Sequence, residues 1–372
     1  MAGVTPIVMP KWGLSMKEGT VTAWLVEEGT EISVGMPILE VETDKIANAV
    51  EAPDPGMLRR RVAAEGELLP VKALLGVLAG DDVSDAEIDA YITSYAMPAS
   101  DDVEEDASPA YQYIEIDGIR TRYARKGAAE GVPVLFIHGY GGDLDNWLFN
   151  IDAVGEKSPV IALDLPGHGQ SDVKLPGASI SALACFIVKF MDAIAVDRAH
   201  LVGHSMGAAI ATQVSLDVPK RVASLTLIGS AGFGSDINSG YTDGFASAPS
   251  RRELKPILEL LFADPGLVSR QLVDDVLKYK RLDGVSELLR ELGCALFGEG
   301  KQNEQPGLKL GNSTADRPVL VIWGRDDQII SVDHAANAPA GATVEIFDGA
   351  GHMAQMERAN DVNRLIIRHV GG

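Results

Sequence analysis

The stretch Leu201-Val202-Gly203-His204-Ser205-Met206-Gly207, running on into the helix-forming residues 208–214, decides how the larger part of this chain folds. Apolar residues ahead of it and an alanine-rich segment behind it describe a strand that passes directly into a helix. A serine between two glycines at that junction has the form of an elbow that lifts a hydroxyl clear of the turn. A hydroxyl is a poor nucleophile unless presented in this way, and so sharp a turn tolerates only small residues two places away on each side. Plain turns also produce this pentapeptide, so the rest of the chain must supply a base, an orienting acid and an oxyanion-binding loop at strand ends.

Working outward from the elbow, apolar strand candidates occur at 132–137, 160–163, 200–202, 224–228, 319–323 and 344–347, with helical stretches between them. Ile180, Leu183, Ala184, Ile187, Val188, Met191 and Ile194 fall at helical spacing and form one apolar stripe. Strands alternating with helices predict a mostly parallel sheet covered on both faces. Residues 113–116 and 120–125, joined through Asp117-Gly118, predict an antiparallel hairpin at its edge. All three missing groups then appear at strand ends. Gly324-Arg325-Asp326-Asp327 follows one strand, Gly349-Ala350-Gly351-His352-Met353 follows the next, and His138-Gly139-Tyr140-Gly141-Gly142 closes an earlier one. The chain order is serine, aspartate, histidine. The backbone amides of Tyr140 and Met206 are the expected oxyanion donors. Residues 231–316, between two strands of the sheet, hold helical runs at 254–262 and 285–296 and are expected to cap the pocket. His204 is expected to pack beside the nucleophile, His138 to order the oxyanion loop and His168 to brace its own loop. No His-x-x-x-His or carboxylate cluster suggests a metal.

Residues 111–372, including Asp164-Leu165-Pro166-Gly167-His168-Gly169-Gln170-Ser171, resemble the α/β-hydrolase superfamily. In that family the acid lies three residues after the glycine of Trp-Gly, so the resemblance implies Asp327 rather than Asp326, within a triad of Ser205, Asp327 and His352.

Residues 4–79 have a different character: short strands broken by Gly-containing turns, predicting a small all-β domain. The segment repeats at an offset of 37. Glu28-Gly29 recurs as Glu65-Gly66, Ile32 matches Leu69, Val34 matches Val71, Ile38 matches Leu75 and Val41 matches Leu78. Two similar halves closing on each other are expected. At the centre sits Glu42-Thr43-Asp44-Lys45-Ile46, where a hairpin tip is expected. An arbitrary turn lysine there would be merely solvated. Together with Met9-Pro10-Lys11-Trp12-Gly13-Leu14-Ser15-Met16 and Glu51-Ala52-Pro53-Asp54-Pro55-Gly56, however, the segment resembles the lipoyl domains of 2-oxoacid dehydrogenase complexes. The resemblance implies a flattened β-barrel and lipoate in amide linkage to Lys45. The related biotin carriers place their lysine between two methionines, whereas Lys45 lies between Asp44 and Ile46.

Between the two parts, residues 81–106 hold ten acids, and no Lys or Arg occurs from 73 to 119. The reading is a lipoyl domain at 1–79, an acidic flexible linker at 80–110 and a hydrolase domain at 111–372. Residues 83–95 could form a short helix; an acidic spacer is favoured there over a docking element. Like charges extend such a segment.

Composition narrows the partners. Fifty-three acids against 32 bases give a formal charge of -21, which repels nucleic acid and anionic membranes. No targeting segment or bilayer-length apolar run is visible, so a cytoplasmic protein is expected. Cys185 and Cys294 share no short spacing and are expected to be buried free thiols.

The combination of domains carries the functional expectation. A serine triad alone implies hydrolysis, whereas a lipoyl arm delivers an acyl thioester on a tether. The fused arrangement resembles the dihydrolipoyllysine-residue acetyltransferase components of bacterial acetoin dehydrogenase complexes. That resemblance implies transfer of an acetyl group from the lipoyl arm to coenzyme A, and the serine triad in place of the usual acyltransferase motif leads to the expectation that the group passes through Ser205. It further implies acetoin-cleaving partner subunits that use thiamin diphosphate, a dihydrolipoamide dehydrogenase, a lipoate-attaching enzyme and a homo-oligomer. The chain departs from ordinary 2-oxoacid acyltransferases: it has no His-x-x-x-Asp-Gly motif and no clear peripheral-subunit-binding domain. Two alternatives stay open, a lipoyl-tethered hydrolase that releases free acid and a non-catalytic lipoyl shuttle that only docks partners.

Overall fold

The computed structural model describes residues 3–12, 16–43, 47–52, 54–97, 111–127, 130–311 and 317–371. They divide into two compact units, residues 1–109 and 110–372.

The first unit holds eight short strands: β1 (Val4–Val8), β2 (Glu18–Trp24), β3 (Glu31–Ile32), β4 (Pro37–Glu42), β5 (Ala47–Glu51), β6 (Gly56–Arg61), β7 (Leu68–Pro70) and β8 (Leu74–Ala79). They form two four-stranded antiparallel sheets, in the orders β1-β8-β6-β3 and β5-β4-β2-β7. Ile7, Leu58, Leu75 and Leu78 from one sheet meet Val21, Ile38, Leu39 and Val41 from the other in a common core. The 37-residue repeat becomes a reciprocal set of hydrogen bonds. Gly29 N donates to Leu58 O at 2.7 Å, and Gly66 N donates to Val21 O at 2.7 Å. Both partners shift by the same offset, so each half closes the turn of the other. Gly35 and Lys72 are a further such pair, and both take left-handed φ, 80° and 69°. Lys45 lies outside the described residues, in the connection after the last described pair of the β4–β5 ladder, Glu42 opposite Ala47.

The spacer reading of residues 80–110 is corrected for its first part. Helix α1 (Asp85–Ser94) packs on the β1–β8 sheet, burying Ile88 completely against Leu74, Val77, Ala79 and Val83. Ser84 and Glu87 form a capping box, and Val83 with Ile88 occupies the positions of a hydrophobic staple. Asp85 accepts from Arg59 at 2.9 Å and lies 3.3 Å from Arg60, while Asp89 lies 3.6 Å from Arg60. Tyr95 Oη donates to Lys72 O at 2.9 Å. Two of the acids that suggested self-repulsion, Asp85 and Asp89, therefore find their cations on β6, too far away in sequence to be anticipated. Residues 98–110 lie outside the described residues. Ile88→Ala is expected to destabilise this unit by about 2–4 kcal/mol, seen as a lower urea midpoint at an unchanged slope.

The second unit is built on eight strands: β9 (Gln112–Ile116), β10 (Ile119–Lys126), β11 (Val134–Ile137), β12 (Val160–Leu163), β13 (Ala199–His204), β14 (Val222–Ile228), β15 (Val319–Gly324) and β16 (Thr343–Phe347). The sheet order is β9-β10-β12-β11-β13-β14-β15-β16. The β9–β10 hairpin turns on Asp117 and Gly118 at φ 53° and 72°, as a tight primed turn requires. From β12 to β16 every pairing is parallel. The central strands β11, β12 and β15 are buried along their whole length.

Helices α2 (Ile151–Gly155), α3 (Ile180–Ala193) and α4 (Met206–Asp217) come before the cap. The cap contributes α5 (Ser239–Ser247), α6 (Arg251–Glu259), α7 (Arg270–Lys280) and α8 (Val285–Leu296), and α9 (Ala354–Glu357) and α10 (Ala359–Gly371) end the chain. α3 and α4 form one layer against the sheet, and α2 with α10 another. The apolar stripe of α3 faces inward: Ile180, Leu183, Ala184, Ile187 and Met191 are all buried. The expectation of buried thiols is overturned. Cys185 and Cys294 are both free and both exposed, because each falls on the outer side of a helix, α3 and α8, whose other side is packed. No helix among the described residues is long and apolar enough to cross a membrane.

Candidate active site

Ser205 occupies the turn from β13 into α4, at φ 54° and ψ −119°. That left-handed, strained conformation is held by packing on both sides. A Cβ on Gly203 would fall 2.5 Å from Ala208 Cα, and one on Gly207 would fall 2.1 Å from Ile137 O. Only hydrogen fits at either position, which is the physical content of the Gly-x-Ser-x-Gly pattern. The backbone of Ser205 is anchored as well, its N–H donating to Ile228 O at 2.9 Å and its carbonyl accepting from Ala231 N at 3.2 Å. The hydroxyl makes no capping bond to α4.

The loop after β16 carries His352, and the turn after β15 carries Asp327. His352 Nδ1 stands 2.8 Å from Asp327 Oδ2, and both side chains are shielded from solvent. The other carboxylate oxygen accepts from Ile329 N at 2.8 Å and Ile330 N at 3.0 Å, so the acid is fixed before it meets the imidazole. Asp326 is exposed and instead accepts from Gly349 N at 3.2 Å. Ser205 and His352 line the same cavity. The Gly139–Tyr140 backbone runs beside the serine, since a Cβ on Gly139 would fall 3.0 Å from Ser205 Cβ. Met206 is the first residue of α4, so its N–H has no acceptor within the helix.

Three further histidines surround this arrangement, each neutral and each bonded. His204 Nε2 lies 2.9 Å from His352 O, fixing the backbone of the facing histidine. His138 accepts from Leu165 N at Nε2 and lies 2.8 Å from Gly139 O at Nδ1. His168 Nδ1 lies 3.0 Å from Pro166 O. Burial pushes His138 down to about 4 and His168 down to about 3, and carries His204 well below the ordinary range, the His352 ring adding to the last. Because the folded state favours these neutral rings, the unfolded chain binds extra protons below about pH 6.5. Their contribution is complete above that pH and is lost as pH falls toward the folded values. Urea denaturation of the protein is therefore expected to show stability dropping between pH 6.5 and 4.5 by about 1.4 kcal/mol per pH unit for each such ring. A flat profile would contradict the burial of these rings in their neutral form.

Sequence reasoning missed the groups that tie the cap to the two loops of the site. Tyr140 projects from the loop after β11 into the cap, and its hydroxyl donates to Leu289 O of α8 at 2.6 Å. Gly293 makes room for it, since a Cβ there would fall 2.9 Å from Tyr140 Oη. A glycine inside an amphipathic helix was the available signal. Glu357 joins the histidine loop to the end of α6, accepting from Gly351 N and from Ala263 N, each at 2.7 Å. No local pattern marks Glu357. Lys280, buried in the cap, donates to Phe245 O and to Ala248 O at 2.6 Å, closing the C-terminal end of α5. Burial lowers its amine to about 8. The serine, aspartate and histidine singled out in the sequence are thus gathered at one end of the sheet.

Comparison with known proteins agrees with both units. A family model described as alpha/beta hydrolase fold matches residues 132–359, and one described as biotin-requiring enzyme, of the biotin/lipoyl type, matches residues 5–78. The dihydrolipoyllysine-residue acetyltransferase component of the acetoin cleaving system of Cupriavidus necator is 63% identical over 99% of this chain and 98% of its own. Its counterpart from Pseudomonas putida is 45% identical over the same shares. Among solved structures, a meta-cleavage product hydrolase from Pseudomonas fluorescens IP01 superposes with a TM-score of 0.63 at 26% identity, covering 70% of this chain and 97% of that one. The chain is a member of the family of dihydrolipoyllysine-residue acetyltransferase components of acetoin cleaving systems, in which a biotin/lipoyl-type domain precedes an α/β-hydrolase domain.

Proposed function

We propose that this protein moves an acetyl group from a dihydrolipoyl thioester to coenzyme A, with Ser205 as the intermediate acceptor. The observation that carries this reading is the shielded His352–Asp327 pair, whose histidine lines one cavity with Ser205, in a chain that also carries a biotin/lipoyl-type domain. Lipoate on Lys45 supplies, when attached, a dithiol able to hold acyl groups as thioesters.

Ser205 Oγ attacks the thioester carbonyl while His352 takes its proton. The amides of Tyr140 and Met206 receive the developing oxyanion, and Asp327 holds the imidazole with Nε2 toward the serine. The carbon–sulfur bond then breaks, and His352 returns the proton to the departing thiol. In the second half, the thiol of coenzyme A attacks the acyl-serine with His352 again as base, and Ser205 leaves with its proton restored. Acetoin-cleaving subunits dependent on thiamin diphosphate would load the arm, and a dihydrolipoamide dehydrogenase would reoxidise it.

The protein incubated with S-acetyl-dihydrolipoamide is expected to release acetyl-CoA in step with free dithiol, and little acetate when coenzyme A is omitted. Acetate appearing at the same rate with and without coenzyme A would replace transfer by hydrolysis. Intact mass after exposure to lipoate and an attaching enzyme is expected to rise by one lipoyl group, and not to rise in Lys45→Arg.

A further inference from the structure

We infer that the cavity under the cap binds the hydrocarbon arm of the thioester donor, a thiol on an unbranched aliphatic amide, while the phosphorylated end of coenzyme A stays outside it. The inference rests on the acyl-transfer reading above and names the substrate part that the pocket selects.

Three features of the cavity point to this occupant. First, the polar lining, Asn146, His204, Tyr140 and Tyr241 with Ser205 and His352, is uncharged or belongs to the site itself, and the cap's remaining wall is apolar: Phe245 from α5, Leu258 from α6, Leu261 and Phe262 just after it, and Leu272 with Val276 from α7. None of the lining residues is Lys, Arg, Asp or Glu. Phosphates placed there would lose their hydration with no cation to replace it, a cost that apolar contacts do not recover. Second, the space is too large for the acyl group. Its volume of about 70 Å³ is several times the roughly 10–15 Å³ that one water-sized group needs, whereas an acetyl group has one methyl to place. A chain of methylenes fills the remainder. Third, the walls are held rather than loose. Phe245 lies so close over the oxyanion loop that a Cβ on Gly141 would fall 2.3 Å from its ring, and Lys280 fixes the carbonyl of the same residue. A preformed apolar slot beside a nucleophile discriminates by chain length, each buried methylene changing affinity about fourfold.

The test uses full-length protein with Lys45 unmodified and acetyl thioesters supplied free in solution, so that loading of the arm does not enter. Across a series of S-acetyl ω-thiol alkanamides with one to five methylenes, kcat/KM is expected to climb about fourfold per methylene over most of the series. Leu272→Ser and the near-isosteric Val276→Thr, both on half-buried positions one turn apart on α7, are expected to raise KM for S-acetyl-dihydrolipoamide about tenfold together. KM for coenzyme A should stay within about twofold. Independently of turnover, octanamide is expected to raise the unfolding temperature of the wild-type protein and not that of the double variant. If Leu272→Ser disturbs the cap, Val276→Thr alone carries the comparison. A flat chain-length series, or variants that raise KM for coenzyme A instead, would overturn the assignment. Acetate release indifferent to coenzyme A would overturn the transfer reading while the chain-length ranking still decided what the cavity holds.

Discussion

Ser205→Ala is expected to abolish acyl transfer for practical purposes, lowering kcat by roughly a thousandfold to a millionfold, while leaving fold and donor binding in place. The hydroxyl makes no capping bond to α4, and the anchoring of this turn is done by backbone groups, so alanine inherits the geometry without the nucleophile. The measurement is acetyl-CoA formation from S-acetyl-dihydrolipoamide, with circular dichroism and octanamide binding as controls. Asp327→Asn is the companion variant. Its carboxylate accepts from two backbone amides on one side and faces His352 Nδ1 on the other. An amide turned toward the imidazole would favour the wrong tautomer and cost on the order of 10⁴ in kcat. Full activity in Ser205→Ala would mean that the two thiols exchange the acetyl group directly. Double-reciprocal plots that intersect rather than run parallel would say the same.

Asp164→Ala is expected to destabilise the hydrolase unit by about 3–5 kcal/mol, equivalent to a fall of about 10 °C in unfolding temperature for a unit of this size. The Asp164 side chain is wholly buried and receives Arg122 Nε at 2.6 Å and Nη2 at 3.2 Å, Leu144 N at 2.9 Å and Gln170 N at 2.7 Å. A single carboxylate thereby holds the end of β12, the loop through Ser171, the turn at Leu144 and the strand β10 next to the sheet edge. Removing it leaves a guanidinium 3% exposed with its main partner gone, and an unpaired buried charge is costlier than the pair is stabilising. The double variant Arg122→Met/Asp164→Leu is therefore expected to recover much of the loss. Urea midpoints for the two single variants and the double one form the cycle that checks it, and additive losses would refute the coupling.

The same loop shows where reading the sequence stops. Its Asp-Leu-Pro-Gly-His-Gly-Gln-Ser run could be recognised as structural, but not that its aspartate seizes an arginine 42 residues earlier. The hairpin at Asp117-Gly118, the chain order of the candidate serine, acid and base and the inward stripe of α3 were legible because each depends on local rules: turn chemistry, chain order and helical period. The exposure of Cys185 and Cys294 was not legible. An apolar neighbourhood along the chain says little about which side of a helix a given residue occupies once the packed side is set by other elements.

Helix α1 fails in the same way and is more instructive. A short helix over 83–95 was one reading of the sequence, yet the density of acids argued for an extended spacer. The outcome turned on Arg59 and Arg60, brought beneath the helix by β6, and on the uncovered apolar residues Leu74 and Val77. Local charge predicted repulsion; tertiary placement turned it into pairing.

The sequence by itself determined the two fold classes, the elbow at Ser205 and the candidate acid and base, because those follow from periodicity, small residues at tight turns and the order of strand ends. Tertiary structure alone decided that Tyr140 and Glu357 bind the cap to the site, and that the cap's wall of the cavity is apolar and the cavity roomier than an acetyl group needs. Each of these depends on distances between segments far apart in the chain, which are set only when the sheet and cap pack together.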